Sequence, residues 1–263
     1  MNTFLAEFAS LMWGPWILFL LLGTGCWLTI CLRGIQVRQL FYSLRLTFSK
    51  ERGGEGDISH FGALSTALAA TVGTGNIAGV SAAVALGGPG AIFWMWVTGL
   101  VGMATKYCEG FLAVKYRQVN HRGEISGGPM YYLEKGLGQK WLGVCFAFFG
   151  AVAAFGIGNM VQANTTVHAL NESLGVSSFF VGGVMMLLTG MVIIGGIKRI
   201  AEVASYLVPF MVLVYFLGAL IVVLNNLDGL GAGIKMILED AFTGTAATGG
   251  FAGASLASTI RYG

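Results

Sequence analysis

The sequence predicts an all-α membrane protein with several spans, and three observations carry that prediction. Its 263 residues are 56% hydrophobic with a mean hydropathy of +0.76. Only 10% are charged, against about 25% in a soluble domain. The charges cluster, leaving apolar blocks of the roughly 20 residues that a helix needs to cross the hydrocarbon core. Barrel strands would alternate over about ten residues, and no such alternation is visible.

Seven spans follow: 11–32, 61–86, 91–114, 141–170, 178–197, 203–224 and 241–260. The first is read as a span and not a signal peptide. Its leading end carries Glu7 and no Lys or Arg, and its apolar run is too long. Trp13 and Trp16 suit an aromatic belt at its outer edge. The loop 50–57, "KERGGEGD", reads as a linker. "GGPG", Gly87 to Gly90, makes a tight turn ahead of "FWMW" at the outer interface. In the third span Lys106 and Glu109 are three apart and share a helical face, as an ion pair anchoring the helix end or as part of an inner gate. The stretch 125–138 suits an interfacial hairpin or short helix, and 234–240 a short amphipathic piece lying flat. Pro209 should kink the sixth span. Cys26, Cys31, Cys108 and Cys145 have no close Cys-x-x-Cys spacing and read as small buried thiols.

The basic residues set the orientation. Arg33, Arg38, Arg45, Lys50 and Arg52 lie between spans one and two; Lys115, Arg117, Arg122, Lys135 and Lys140 lie between three and four. Lys198 and Arg199 follow span five and Arg261 follows span seven, whereas the opposite connections hold only Lys235. The N-terminus is therefore expected outside, with span two running from cytoplasm to exterior.

Span two contains "TVGTGNIAGV", Thr71 to Val80. Each glycine lowers helix propensity by about 1 kcal/mol relative to alanine, and broken helices persist in a bilayer only where protein or a water-filled cavity satisfies the backbone. Two readings compete: a broken helix, and a packing face built on Gly75 and Gly79 as G-x-x-x-G. Span seven, "AFTGTAATGGFAGASLAST", is similarly glycine- and threonine-rich, runs the opposite way and lies five spans later. Such a pair marks the binding site of an inverted-repeat transporter and favours the break. The expected organisation is a single membrane domain over 1–263, with an extra leading helix at 11–32. A five-helix repeat at 61–224 and the start of an inverted second repeat at 241–263 complete it.

Span four supplies another candidate wall. Phe155, Asn159 and Gln162 fall on nearly one face at α-helical spacing, with Gly156 leaving room beside them. Interhelical glue is the rival role for these amides. His168 is placed at the interface. Glu109 is the only carboxylate within a span and is not at mid-membrane, whereas proton-driven carriers usually keep a titratable relay at depth. Carbonyls, hydroxyls and amides suit Na⁺, and a positive half-helix end attracts a carboxylate. Together these suggest a small zwitterionic amino acid as substrate.

The stretches "TVGTGNIAGVSAAVALGGPGAIFWMWVTGLVGMATKYCE" (71–109), "SGGPMYYLEKGL" (126–137) and "GNMVQAN" (158–164) resemble the sodium:alanine symporter family, and the resemblance extends over nearly the whole chain. It implies the inverted-repeat fold of the amino acid–polyamine–organocation superfamily and symport of alanine or glycine with Na⁺ as the coupling ion. It implies that Gly73, Thr74, Gly75 and Asn76 hold the substrate backbone, with Asn159, Gln162, Gly249, Gly250 and Phe251 completing the pocket. Backbone carbonyls near Ala69 and Val72 would face the cation. Family members are longer, so the chain is expected to be a fragment, truncated inside the seventh span. The expected partners are a small neutral amino acid, Na⁺ and the bilayer of the cell membrane, and no nucleic acid. A non-transporting membrane scaffold, whose glycines serve helix packing, is the alternative. A membrane enzyme is disfavoured because His60, His121 and His168 are scattered and no nucleophile–base spacing is present.

Overall fold

The computed structural model describes residues 7–8, 11–12, 15–49, 58–119, 123 and 125–242. The linker at 50–57, Trp13, His121 and nearly all of the expected seventh span, including Gly249, Gly250 and Phe251, lie outside the described residues. What is described is overwhelmingly helical. Large apolar side chains such as Phe19, Phe179 and Phe210 are exposed, while the buried apolar residues are mostly small: Ala83, Ala91, Ala104, Ala201 and Ala204 among them. Small residues let helices approach closely while bulky ones face outward, as in a membrane protein. Two helical stretches, Lys140–Leu174 and Gly196–Leu224, are long and apolar enough to span a bilayer; His60–Thr71 with Gly75–Gly87 makes a third if counted as one broken span.

The chain divides into two compact units. The first comprises Met1–Phe41, Gly75–Lys115 and Asn226–Gly263. Its helices are α1 (Pro15–Cys31) and the short α2 (Ile35–Arg38). A π-helical turn at Gly75–Gly79 leads into α5 (Val80–Gly87), followed by α6 (Ala91–Lys115) and later α12 (Leu227–Asp240). The absence of a side chain at Gly25 lets α1 lie against α6, because a Cβ there would overlap Val101 Cγ1. Lys106 Nζ donates to Glu109 Oε2 at 2.9 Å, the pair expected from their spacing.

The second unit comprises Tyr42–Thr74 and Tyr116–Asn225. It holds α3 (Leu40–Thr47, which begins at the unit boundary), α4 (His60–Thr71) and a two-stranded antiparallel ribbon of β1 (Gln118–Val119) and β2 (Ile125–Ser126). Next come α7 (Pro129–Gly136) and α8 (Lys140–Ala153), a second π-helical segment at Ala154–Met160, then α9 (Val161–Leu174), α10 (Ser178–Ile193) and α11 (Gly196–Leu224). Ser59 caps α4 by accepting from the Gly62 N–H at 3.1 Å. The buried Gly62 and Ser65 run along α11, with Ala201 Cβ and Ser205 Oγ 3.7 Å from where a Gly62 Cβ would stand. Gly143 does the same for α7 and α8, since a Cβ would come within 2.6 Å of the Met130 carbonyl oxygen.

Three expectations are corrected. The sixth span begins at Gly196, not 203: the corner is at Gly195–Gly196, where Gly196 holds φ +68, and Lys198, Arg199 and Glu202 are helical. At 29 residues α11 is about 43 Å long and reaches beyond a hydrocarbon core of about 30 Å, so its charged first turns need no separate loop. Pro209 lies inside this helix. The amphipathic piece at 234–240 is the second half of a 14-residue helix beginning at Leu227. Finally, Cys26, Cys31 and Cys145 are exposed free thiols and not buried; on a span facing lipid, a small apolar group needs no protein cover.

Candidate functional site

The helix begun at His60 stops where the glycine-rich stretch starts. Val72, its C-cap, turns to an extended conformation (φ −83°, ψ 112°) while its N–H still reaches the Leu68 carbonyl at 2.7 Å. Thr71 Oγ1 donates back to the Ala67 carbonyl at 2.6 Å, closing the last turn from the side-chain level. The interruption is Val72 and Gly73, and Thr74 is already helical. A π turn follows from Gly75.

In an unbroken helix the Thr74 N–H would bond to the carbonyl four residues back. Here it donates to Gln162 Oε1 at 3.1 Å, across 88 residues of sequence. Gln162 is half-buried, in the first turn of α9. Its amide lies against Gly73: a Cβ at that glycine would be 2.9 Å from Oε1 and 3.2 Å from Nε2. Gly73 thus serves close approach, since its φ is not positive. Beside this bond, Thr74 Oγ1 is buried with no hydrogen-bond partner among the described residues. A buried hydroxyl left unpaired costs about 1–3 kcal/mol. The donors and acceptors here are neutral, and among the described residues no three His, Cys, Asp or Glu side chains converge as a metal cluster.

The structure therefore brings Gln162, Gly73 and Thr74 together. Ala69 lies in the last turn of α4 and Val72 at its cap, so their carbonyls flank the break. Gly75 opens the π turn, and a Cβ built there meets no described atom within 4 Å. Asn76 lies in the same turn and is exposed. Phe155, Gly156 and Asn159 fall in the second π segment, with Phe155 and Asn159 exposed. A π turn closes its rings one residue later than an α turn, so the face that α spacing assigns to Phe155, Asn159 and Gln162 slips within this segment. The sequence showed the glycines around Asn159 but not the extra residue in the turn. The orphaned Thr74 hydroxyl was likewise not singled out within the Gly73–Asn76 group; a threonine inside the glycine run was its only signal.

The model of the sodium:alanine symporter family matches residues 1–263. A protein of Methanococcus maripaludis named sodium/alanine symporter is 51% identical over 260 residues, 97% of this chain and 57% of the relative. A Bacillus subtilis protein named putative sodium/proton-dependent alanine carrier is 40% identical, covering 100% of this chain and 54% of its own length. Another from the same organism, named probable sodium/glutamine symporter, is 37% identical over 97% of this chain and 53% of its own. The chain spans little more than half the length of these relatives.

Proposed function

Because the chain belongs to the sodium:alanine symporter family, we propose that it serves the Na⁺-coupled import of a small neutral amino acid through the cell membrane by alternating access. One observation carries this reading beyond family membership: the helix breaks at Val72–Gly73, and Gln162 receives the freed amide of Thr74. A break of this kind offers polar backbone to a ligand where an intact helix offers none. In this reading Gly73 and Thr74, braced by Gln162, receive the amino acid, and the orphaned Thr74 hydroxyl is satisfied by it. Backbone carbonyls of Ala69 and Val72 face Na⁺, a hard cation suited to oxygen ligands. Gly75, Asn76, Phe155, Gly156, Asn159, Gly249, Gly250 and Phe251 enter the proposal from the sequence alone, as do the inverted repeat and the external N-terminus. The higher identity to the alanine-named relatives than to the glutamine-named one favours a small side chain. A scaffold role for the glycines is the alternative: a Cβ built at Gly75 meets no described atom within 4 Å, whereas Gly79 is buried.

The test is uptake of radiolabelled alanine into proteoliposomes bearing the protein. Accumulation should require an inward Na⁺ gradient, vanish when choline replaces Na⁺, and be competed by glycine. Equal accumulation without Na⁺ would sink the proposal.

A further inference from the structure

Within the first unit, the turn joining α5 to α6 meets the end of α12 through contacts that the proposed transport chemistry leaves unused. Gly90 N–H donates to Asp240 Oδ2 at 3.3 Å, joining positions 150 residues apart. The Trp94 indole N–H donates to the Ala241 carbonyl. The Phe242 ring packs on Phe93 at 5.7 Å and on Trp94 at 6.2 Å between centroids. Two glycines make the approach possible. Gly88 holds φ +72, a conformation that side chains rarely adopt, and a Cβ there would overlap the Asp240 carboxylate. A Cβ at Gly90 would overlap the backbone of Asp240 and Ala241. Gly90, Ala91 and Ala241 are all buried.

A carboxylate at the end of a helix faces the negative pole of the macrodipole, so its position in α12 is locally unfavourable. The charge gains by accepting from an amide outside its own helix. The stretch immediately after Phe242 is the second glycine-rich segment of the sequence, and α5 is the outgoing half of the first.

We propose that Asp240 is a latch: its carboxylate, with the Ala241 carbonyl, ties the Gly87–Gly90 turn to the chain leading into the second glycine-rich segment, so that these two chain ends open and close as one cooperative unit. Two hydrogen bonds and two ring contacts converge on three residues, Asp240 to Phe242, so loosening one side releases the other. The inference is independent of whether the protein carries an amino acid.

Hydrogen–deuterium exchange of the protein in lipid nanodiscs tests it. Asp240→Ala should speed exchange about tenfold or more in both the 86–92 and the 236–242 peptides, with a 142–152 peptide from the other unit unchanged. Trp94→Phe, which keeps a ring but loses the indole donor, should raise both peptides together by a smaller factor. Asp240→Asn retains an acceptor oxygen and should restore most of the protection. Faster exchange in only one of the two peptides, or in neither, overturns the proposal. If Asp240→Ala does not yield folded protein, the same criterion applied to Trp94→Phe decides.

Discussion

Replacing Gly73 with alanine probes the candidate site at its tightest point. Gly73 has no positive φ, so the backbone accepts alanine and the effect comes from the added methyl alone. That carbon would stand 2.9 Å from Gln162 Oε1, 3.2 Å from Nε2 and 3.3 Å from Cδ, inside ordinary contact distance. The end of a glutamine side chain is flexible, so the clash is relieved by swinging the amide away, with no shift of the helices. The swing breaks the 3.1 Å bond from Thr74 N–H, leaving that amide and the buried Thr74 hydroxyl both unpaired. A stranded buried donor costs about 1–3 kcal/mol, which corresponds to roughly a 5- to 150-fold weakening at 1.4 kcal/mol per decade. The assay is the alanine concentration giving half-maximal Na⁺-driven uptake in proteoliposomes. Gln162→Ala deletes the same bond from the other side and should weaken binding by a similar factor. Because both changes remove one interaction, the double variant should be no worse than the more affected single variant. Additive losses, or a wild-type half-saturation in Gly73→Ala, would refute the assignment of this bond to the site.

Two further outcomes are expected. Gly143→Ala places a methyl 2.6 Å from the Met130 carbonyl oxygen, a backbone atom that cannot swing aside. Overpacking of this sort costs about 1–3 kcal/mol, so thermal unfolding in detergent should shift down by about 2–10 °C; an unchanged midpoint would contradict the tight α7–α8 contact. With the four native cysteines replaced by serine, Ser43→Cys should react with a membrane-impermeant maleimide only after permeabilisation, and Asn225→Cys in intact cells. The reverse pattern would overturn the orientation read from the basic residues.

Helix placement was largely legible because hydrophobic length is a local property. The described residues of the expected spans 11–32, 61–86, 91–114 and 141–170 are helical but for Leu32 and the break after Thr71. The corner between α10 and α11 was misplaced because Lys198 and Arg199 were read as loop. Charged residues do not end a helix; the left-handed turn at Gly196 does. The π segment at Ala154–Met160 left no trace in composition, because one extra residue in a turn changes neither hydropathy nor charge.

What the sequence by itself determined was the class of protein and the place where a helix would break. Both depend on terms that act residue by residue: the transfer of apolar side chains into lipid, and the weak helix propensity of glycine. What only the tertiary structure decided was which group would satisfy the opened backbone. Gln162, Asn159 and Asn76 are all amides near glycines, and nothing local distinguishes them. A hydrogen bond requires placement to within a few tenths of an ångström, and that was supplied by the packing that lays the Gln162 amide against Gly73, 88 residues of chain away from the Thr74 N–H it accepts.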